Sequence, residues 1–295
     1  MGSKMKIISN SKGKFLALNI AKRIDAKPAN ILFSKFPNGE KKVQILENLK
    51  GEKIITVLDI APPVDENIIE SLLLLDALER QKVAEIILII PWLGYSLQDR
   101  VFRMGEPLSS KVIAGLFNHK TIKKIILLDI HKKAILGYFK RPVVNKSAVR
   151  LFSNIILREY GIKSGIVVST DHGGINLAIK LSNILKLPMV STKKVRNLNN
   201  GLIEKVEISP KVKGKNVFII DDGILSGQTI LNVAHAIKAN WGRSIHCFAT
   251  HPVFTKGAIR TIENSGINSL VVTNSIYHKN YPKNCKVIDC SELFI

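Results

Sequence analysis

The chain has 295 residues, 46% of them apolar and only three of them cysteines. Its apolar content is too high for a disordered chain, its cysteines are too few for a disulfide framework, and its length suits two domains of roughly 100–200 residues each. Lys and Arg outnumber Asp and Glu by 44 to 23, a formal charge of +21, and residues 119–150 carry nine basic side chains against the single acid Asp129.

A surface of that sign attracts polyanions. Few aromatics are interleaved with the basic residues, so nucleic acid is not the expected partner, and sugar phosphates and nucleotides suit the charge. No apolar run reaches the length of a membrane span, and the start MGSKMKIISN lacks a signal-peptide core, which predicts a cytoplasmic protein without a membrane partner. Cys247, Cys285 and Cys290 read as reduced thiols.

In chain order, short β-branched runs predict strands at Ile54–Asp59, Ile86–Ile90, Ile125–Asp129, Ile166–Ser169, Val217–Asp221, Ile245–Thr250 and Leu270–Thr273. Amphipathic stretches lie between them, with apolar residues at Ile68, Leu72, Leu75 and Leu78 and again at Ile230, Val233, Ala234 and Ile237. The alternation predicts an α/β protein of two tandem similar domains, residues 5–145 and 146–295, each a mainly parallel sheet flanked by helices. The active cleft is expected between them. Residues 195–215 are rich in Asn, Gly, Lys and Pro and predict an excursion that serves as a lid or forms a surface hairpin over Leu202–Ile208. Tyr281–Ile295 is expected to fold back as a closing strand.

The strongest local signal is Val217-Phe-Ile-Ile-Asp-Asp-Gly-Ile-Leu-Ser-Gly-Gln-Thr229. It reads as a buried strand that ends in two acids and turns through small hydroxyl residues into a helix. Ligands of open α/β sheets sit at such strand ends. Ser226, Gly227, Gln228 and Thr229 would point N–H groups and hydroxyls at an anion, while Asp221 and Asp222 accept hydrogen bonds from sugar hydroxyls.

This segment resembles the phosphoribosyl-pyrophosphate motif of type I phosphoribosyltransferases, and the rest of the chain is similar to one relative, the ribose-phosphate diphosphokinase (phosphoribosyl pyrophosphate synthetase) family. Phe36-Pro-Asn-Gly-Glu40 is similar to that family's Phe-Pro-Asp-Gly-Glu, and Pro91-Trp-Leu-Gly-Tyr-Ser-Leu-Gln-Asp-Arg100 to its Pro-Tyr-x-Gly-Tyr-x-Arg-Gln-Asp-Arg. Glu106–Lys111, Asp129-Ile-His131 with Gly137–Phe139, and Ser169–Gly174 also fit in order.

The resemblance implies a phosphoribosyltransferase-like fold and transfer of pyrophosphate from ATP to ribose 5-phosphate, with Mg2+ as cofactor. It assigns His131 and Asp171 to the metal. Phe36, Asn38, Glu40, Gln98, Asp99 and Arg100 go to ATP, the hairpin residues reaching it from a neighbouring subunit, so a homo-oligomer is implied. Catalytic basic residues on a flexible loop map to Lys194 and Arg196, with Lys193 as the alternative lysine. Ribose 5-phosphate falls to Asp221, Asp222 and Ser226–Thr229.

The chain departs from the family pattern at several of these places. Leu97 replaces an Arg, Asn38 an Asp and Leu225 a polar residue; Gln228 stands for a Gly, His172 for a small residue, and Lys132 and Leu136 break the pattern after the histidine. An Arg–phosphate contact is worth roughly 1.5–3 kcal/mol, so Leu97 weakens the case for ATP. Gln228 leaves three outcomes open: crowding of the 5-phosphate, a shift of the turn, or relief by the freedom of Gly223 just before it. Two readings therefore stand: the enzyme itself, or a weak or silent paralogue that serves as structural or regulatory partner of an active synthetase.

Overall fold

The computed structural model describes residues 5–170, 174–196 and 203–295. The near-continuous Ile, Leu and Val runs form parallel strands buried on both faces. In the first unit β1 (Lys6–Ser9) leads to α1 (Lys14–Ile24), then β2 (Lys27–Pro28) and an antiparallel hairpin, β3 (Ile31–Lys35) and β4 (Lys41–Ile45). There follow β5 (Lys53–Val57), α2 (Val64–Arg80), β6 (Glu85–Ile90), α3 (Ser109–Leu116), β7 (Ile122–Leu128) and β8 (Val143–Lys146). The sheet is parallel throughout, in the order β2-β1-β5-β6-β7-β8. Leu74, Leu75 and Leu78 of α2 share one buried cluster with Ile54, Ile86 and Leu88, each fully buried side chain stabilising by about 1.5–3 kcal/mol.

The second unit begins with α4 (Val149–Ile155), β9 (Gly165–Ser169), α5 (Ile175–Leu185) and β10 (Met189–Ser191). A second hairpin, β11 (Lys193–Arg196) and β12 (Ile203–Glu207), precedes β13 (Asn216–Ile224), α6 (Gln228–Ala239), β14 (Ser244–Pro252), α7 (Ala258–Ser265), β15 (Ser269–Thr273) and β16 (Cys285–Ile288). Its parallel sheet runs β10-β9-β13-β14-β15-β16, the same edge-to-edge plan as the first. Two similar α/β halves are thus present, as the alternation of runs predicted.

Three features differ from the reading of the sequence. β13 does not stop at Asp221 but continues through Ile224, because β14 extends to Pro252 and keeps pairing with it. The expected excursion at 195–215 is a hairpin whose first strand is Lys193–Arg196, and Leu202 lies outside the described residues. Asp289–Ile295 and Ser275–Tyr277 belong with the first unit, together with the described residues up to Ser147, and the second comprises Ala148–Asn274 and His278–Ile288. The final segment is held to α1 by Arg23, which donates to Asp289 at 2.8 Å and to Ser291 at 2.6 Å, and by the buried Cys290 and Phe294. The expected closing strand is Cys285–Ile288, parallel to β15.

Among the described residues no helix is long and apolar enough to cross a membrane.

Candidate active site

In the second unit the carboxyl ends of β9 and β13 hold a buried polar cluster. Asp221 and Asp222 are each 8% exposed. The Thr170 hydroxyl donates to Asp221 Oδ2 at 2.7 Å, and the Asp222 N–H donates to Asp221 Oδ1 at 3.0 Å. These bonds fix the first acid as an acceptor through both of its carboxylate oxygens.

From there the chain turns into α6 through Ser226 and Gly227. The Gln228 N–H donates to Ser226 Oγ at 3.3 Å, and Thr255 N–H braces the loop by donating to Leu225 O at 3.0 Å. Gly227 has φ +77°, and a Cβ there would lie 2.9 Å from Ile262 Cγ1, so only glycine suits this turn. Gln228 does not crowd the turn: its Nε2 donates to Asn232 Oδ1 at 2.8 Å, one helical turn on, which carries the side chain along the exposed surface of α6. The substitution therefore leaves the glycine turn into α6 in place.

The basic hairpin is tied to this cluster. Thr192 Oγ1 donates to Thr170 O at 2.6 Å, immediately before Lys193, so the path runs from the hairpin through Thr170 to Asp221. In the hairpin Lys194 pairs with Val206 and Arg196 with Ile203. Lys193 is exposed.

In the first unit Phe36, Asn38 and Glu40 form the tip of β3–β4. Gly39 N–H donates to Phe36 O at 2.8 Å, with Pro37 preset for the turn and Gly39 at φ +91°, and Phe36 N–H closes the tip by donating to Glu40 O at 2.8 Å. Asn38 Oδ1 accepts from Glu40 N–H at 3.2 Å, a bond that an Asp would also make, so the replacement preserves the turn and removes only a charge. Phe36 is 47% exposed, with Lys42 Nζ 5.7 Å from its ring centroid.

The Pro91–Arg100 loop leaves β6. Its Gly94 needs to be glycine, since a Cβ would sit 2.6 Å from Val64 Cγ1. Tyr95 Oη donates to Asp65 Oδ1 at 2.6 Å, and this bond holds the phenol above its ordinary pKa. Gln98 O accepts from Ser110 N–H at 3.2 Å, and its Oε1 accepts from the Ser109 hydroxyl. Asp99 O accepts from Tyr138 Oη at 3.5 Å, and the Arg100 guanidinium lies 5.1 Å from the Phe102 ring centroid.

His131 follows β7 and is half-buried, after Asp129 at φ +37° and Ile130, whose N–H donates to Asn145 Oδ1 at 3.0 Å. Asp171 and His172 lie outside the described residues. Among the described residues no group of three or more His, Cys, Asp or Glu is placed to hold a metal ion. Of the two residues assigned to the metal, His131 alone lies within the described residues.

Residues 5–120 match the N-terminal domain of ribose phosphate pyrophosphokinase, and residues 140–265 match the phosphoribosyl transferase domain. The ribose-phosphate pyrophosphokinase of Corynebacterium ammoniagenes is 35% identical over 291 residues, covering 99% of this chain and 91% of the relative. The chain belongs to the ribose-phosphate pyrophosphokinase family. The Thermotoga maritima ribose-phosphate pyrophosphokinase is 32% identical over 293 residues, covering 99% of this chain and 93% of the relative. The crystal structure of phosphoribosylpyrophosphate synthetase from Mycobacterium smegmatis matches with a TM-score of 0.90 at 26% identity, covering 99% of this chain and 96% of that one. Membership in the ribose-phosphate pyrophosphokinase family makes this an enzyme of nucleotide biosynthesis.

Thr170 and Tyr95 lie inside motifs legible in the sequence but carry no assigned role there, and Thr192 lies outside them; all three brace those motifs. Thr170 directly follows a strand end, where a hydroxyl reaches across to the acid of the neighbouring strand. That placement is readable from strand order but not from spacing.

Proposed function

We propose that the chain transfers an intact pyrophosphoryl group from ATP to the C1 hydroxyl of ribose 5-phosphate. The C1 oxygen bonds to the β-phosphorus as the bond from that phosphorus to the α,β-bridging oxygen breaks. AMP leaves with that oxygen and its electron pair, and the proton of the C1 hydroxyl passes to solvent. The observation that carries the reading is the buried Asp221–Asp222 pair running into the glycine turn of α6 and linked through Thr170 and Thr192 to the basic hairpin.

Each residue has a task the chemistry needs. Asp221 and Asp222 accept hydrogen bonds from the ribose hydroxyls, and Ser226–Thr229 receive the 5-phosphate on N–H groups at the helix N-terminus. Lys194 and Arg196, with Lys193 as the alternative lysine, offset charge on the transferred group; such a step depends on positioning and on cations spread around the phosphates. Phe36, Asn38, Glu40, Gln98, Asp99 and Arg100 hold ATP, Arg100 being suited to bidentate phosphate contact. Mg2+ is the proposed cofactor, with His131 and Asp171 as its protein ligands; when bound it neutralises phosphate charge. A cytoplasmic homo-oligomer completes the proposal, since the hairpin tip is taken to serve a neighbouring subunit.

The silent paralogue is not favoured. The relatives matched along almost the whole chain carry the enzyme's name, Asn38 keeps its turn, and Gln228 is drawn aside by Asn232. Initial rates of AMP release from ATP and Mg2+, with and without ribose 5-phosphate and at low and high salt, test the proposal. Sugar-dependent AMP supports it. A folded sample that binds ribose 5-phosphate but releases no AMP rejects it and restores the paralogue.

A further inference from the structure

The inner face of β4 reads Ile45, Val43, Lys41, with alternate residues turned toward the core. Val43 and Ile45 pack on the first unit's core, but the last inward position is a lysine. Its Nζ lies 2.9 Å from Oε2 of Glu70 and 3.4 Å from Oε2 of Glu66, both on α2. Glu70 is 2% exposed, and its Oε1 accepts the Ser11 N–H at 2.7 Å. Burial opposes the charged form of Lys41, yet Glu70 and Glu66 outweigh it and hold the ammonium above its ordinary pKa.

A buried ion pair is a poor way to gain stability, because desolvating both charges costs about as much as their attraction returns. It is a good way to fix a register. A one-residue slip of β4 would turn Lys41 outward and bring Glu40 or Lys42 against the carboxylates. Glu40 is the last residue of the tip Phe36–Glu40, and a 490 Å3 hollow lined by Glu40, Lys41, Asp65, Glu66 and Ile69, among others, separates the tip from α2. Ion pairs to α2 therefore seat the tip from both of its strands, Lys41 with Glu70 and Glu66 on β4 and Lys35 with Glu66 at 3.6 Å on β3, and only Lys41 reaches the buried Glu70.

We infer that Glu70 is a positioning residue for the nucleotide, acting through Lys41 to set the Phe36–Glu40 turn that carries the ATP contacts. The inference rests on the reading of that turn as an ATP loop. α2 would then seat both nucleotide loops, since its Asp65 also holds Tyr95 of the Pro91–Arg100 loop.

The test compares Glu70→Gln, Lys41→Met, their double variant and Phe36→Ala in steady-state assays of the full chain. Gln keeps an acceptor for Ser11 N–H, and Met keeps the length of the lysine stem. Each single variant is expected to raise KM for ATP tenfold or more while KM for ribose 5-phosphate stays within twofold. The double variant is expected to be no worse than either single, as befits one shared interaction. A general loss of structure would move both KM values together and overturn the inference. Should Glu70→Gln fail to fold, Lys41→Met alone decides, and an unchanged KM for ATP overturns it. If Phe36→Ala raises KM for ATP and the pair variants do not, the positioning role falls and the ATP loop stands. If Phe36→Ala leaves KM for ATP unchanged, the loop reading itself falls, and the positioning role with it.

Discussion

The Thr170 hydroxyl donates a 2.7 Å hydrogen bond to Oδ2 of Asp221, with the threonine fully buried and the aspartate nearly so. Thr170→Val keeps the shape and removes the donor from a carboxylate that has little water to replace it. The expected loss of stability is about 1–3 kcal/mol, measured by urea unfolding. Affinity for ribose 5-phosphate should fall as well, since Asp221 loses the bond that fixes its Oδ2. Unchanged affinity in a folded variant would remove this bond from the site.

Two neighbouring positions in the α6 turn should behave oppositely. Gly227→Ala meets both a positive φ and Ile262, and is expected to cost on the order of 1–3 kcal/mol and to weaken ribose 5-phosphate binding by at least tenfold. Gln228→Gly removes a side chain already bonded to Asn232 and should lower stability by roughly 0.5–1 kcal/mol while leaving the sugar-phosphate affinity within twofold. Thermal shift and isothermal titration calorimetry of both variants check the contrast. A large gain in affinity for Gln228→Gly would mean that the glutamine does obstruct the phosphate.

Asp59, 3% exposed after β5, has its pKa pushed up to about 6, chiefly by burial, with the Ala61 N–H and Lys12 pulling the other way. The folded state thus holds this proton more tightly than the unfolded chain does. The stability it contributes is fully present below the unfolded value of 3.8 and is lost as pH rises to about 6. Asp59→Asn, whose amide oxygen can still accept from Ala61, is expected to flatten that slope and to raise stability at pH 8 by roughly 2–3 kcal/mol. Denaturant melts between pH 4 and 8 measure it, and parallel curves for the two proteins would contradict the assignment.

Sequence pattern revealed the central strands because each is buried on both faces and so reads as an uninterrupted apolar run. Lys6–Ser9 and Val143–Lys146 were too short to stand out, and the hairpin Ile31–Ile45 was visible only as the Phe36–Glu40 motif at its tip. The Asp221–Thr229 strand end and turn were legible because strand, acids and glycine turn are contiguous. Glu70 was not, although the buried stripe of α2 passes through Asn67, Glu70, Ser71, Leu74 and Leu78. A carboxylate on that stripe was the available signal, and its partner Lys41 lies on another element, beyond the reach of local spacing. The closing strand Cys285–Ile288 was legible, but the grouping of Asp289–Ile295 with the first unit was not, since its attachment to Arg23 depends on residues far away in the chain.

Lys194→Ala should separate transition-state work from binding. If the lysine offsets charge on the transferred group, kcat is expected to fall about 100–1000-fold while ribose 5-phosphate affinity changes less than threefold. Asp222→Ala should show the reverse pattern, with weaker sugar-phosphate binding as its main effect. Steady-state kinetics with equilibrium binding distinguish the two, and a pure binding defect in Lys194→Ala would end its catalytic assignment.

The transfer of an intact pyrophosphoryl group is tested most directly by giving the enzyme ribose 5-phosphate, Mg2+ and ATP labelled in its β-phosphorus, then separating the products. The account expects all transferred label in a sugar diphosphate, with unlabelled AMP formed in equal amount. Labelled ADP beside an unlabelled sugar phosphate, or no sugar-dependent turnover by the folded chain, would contradict it.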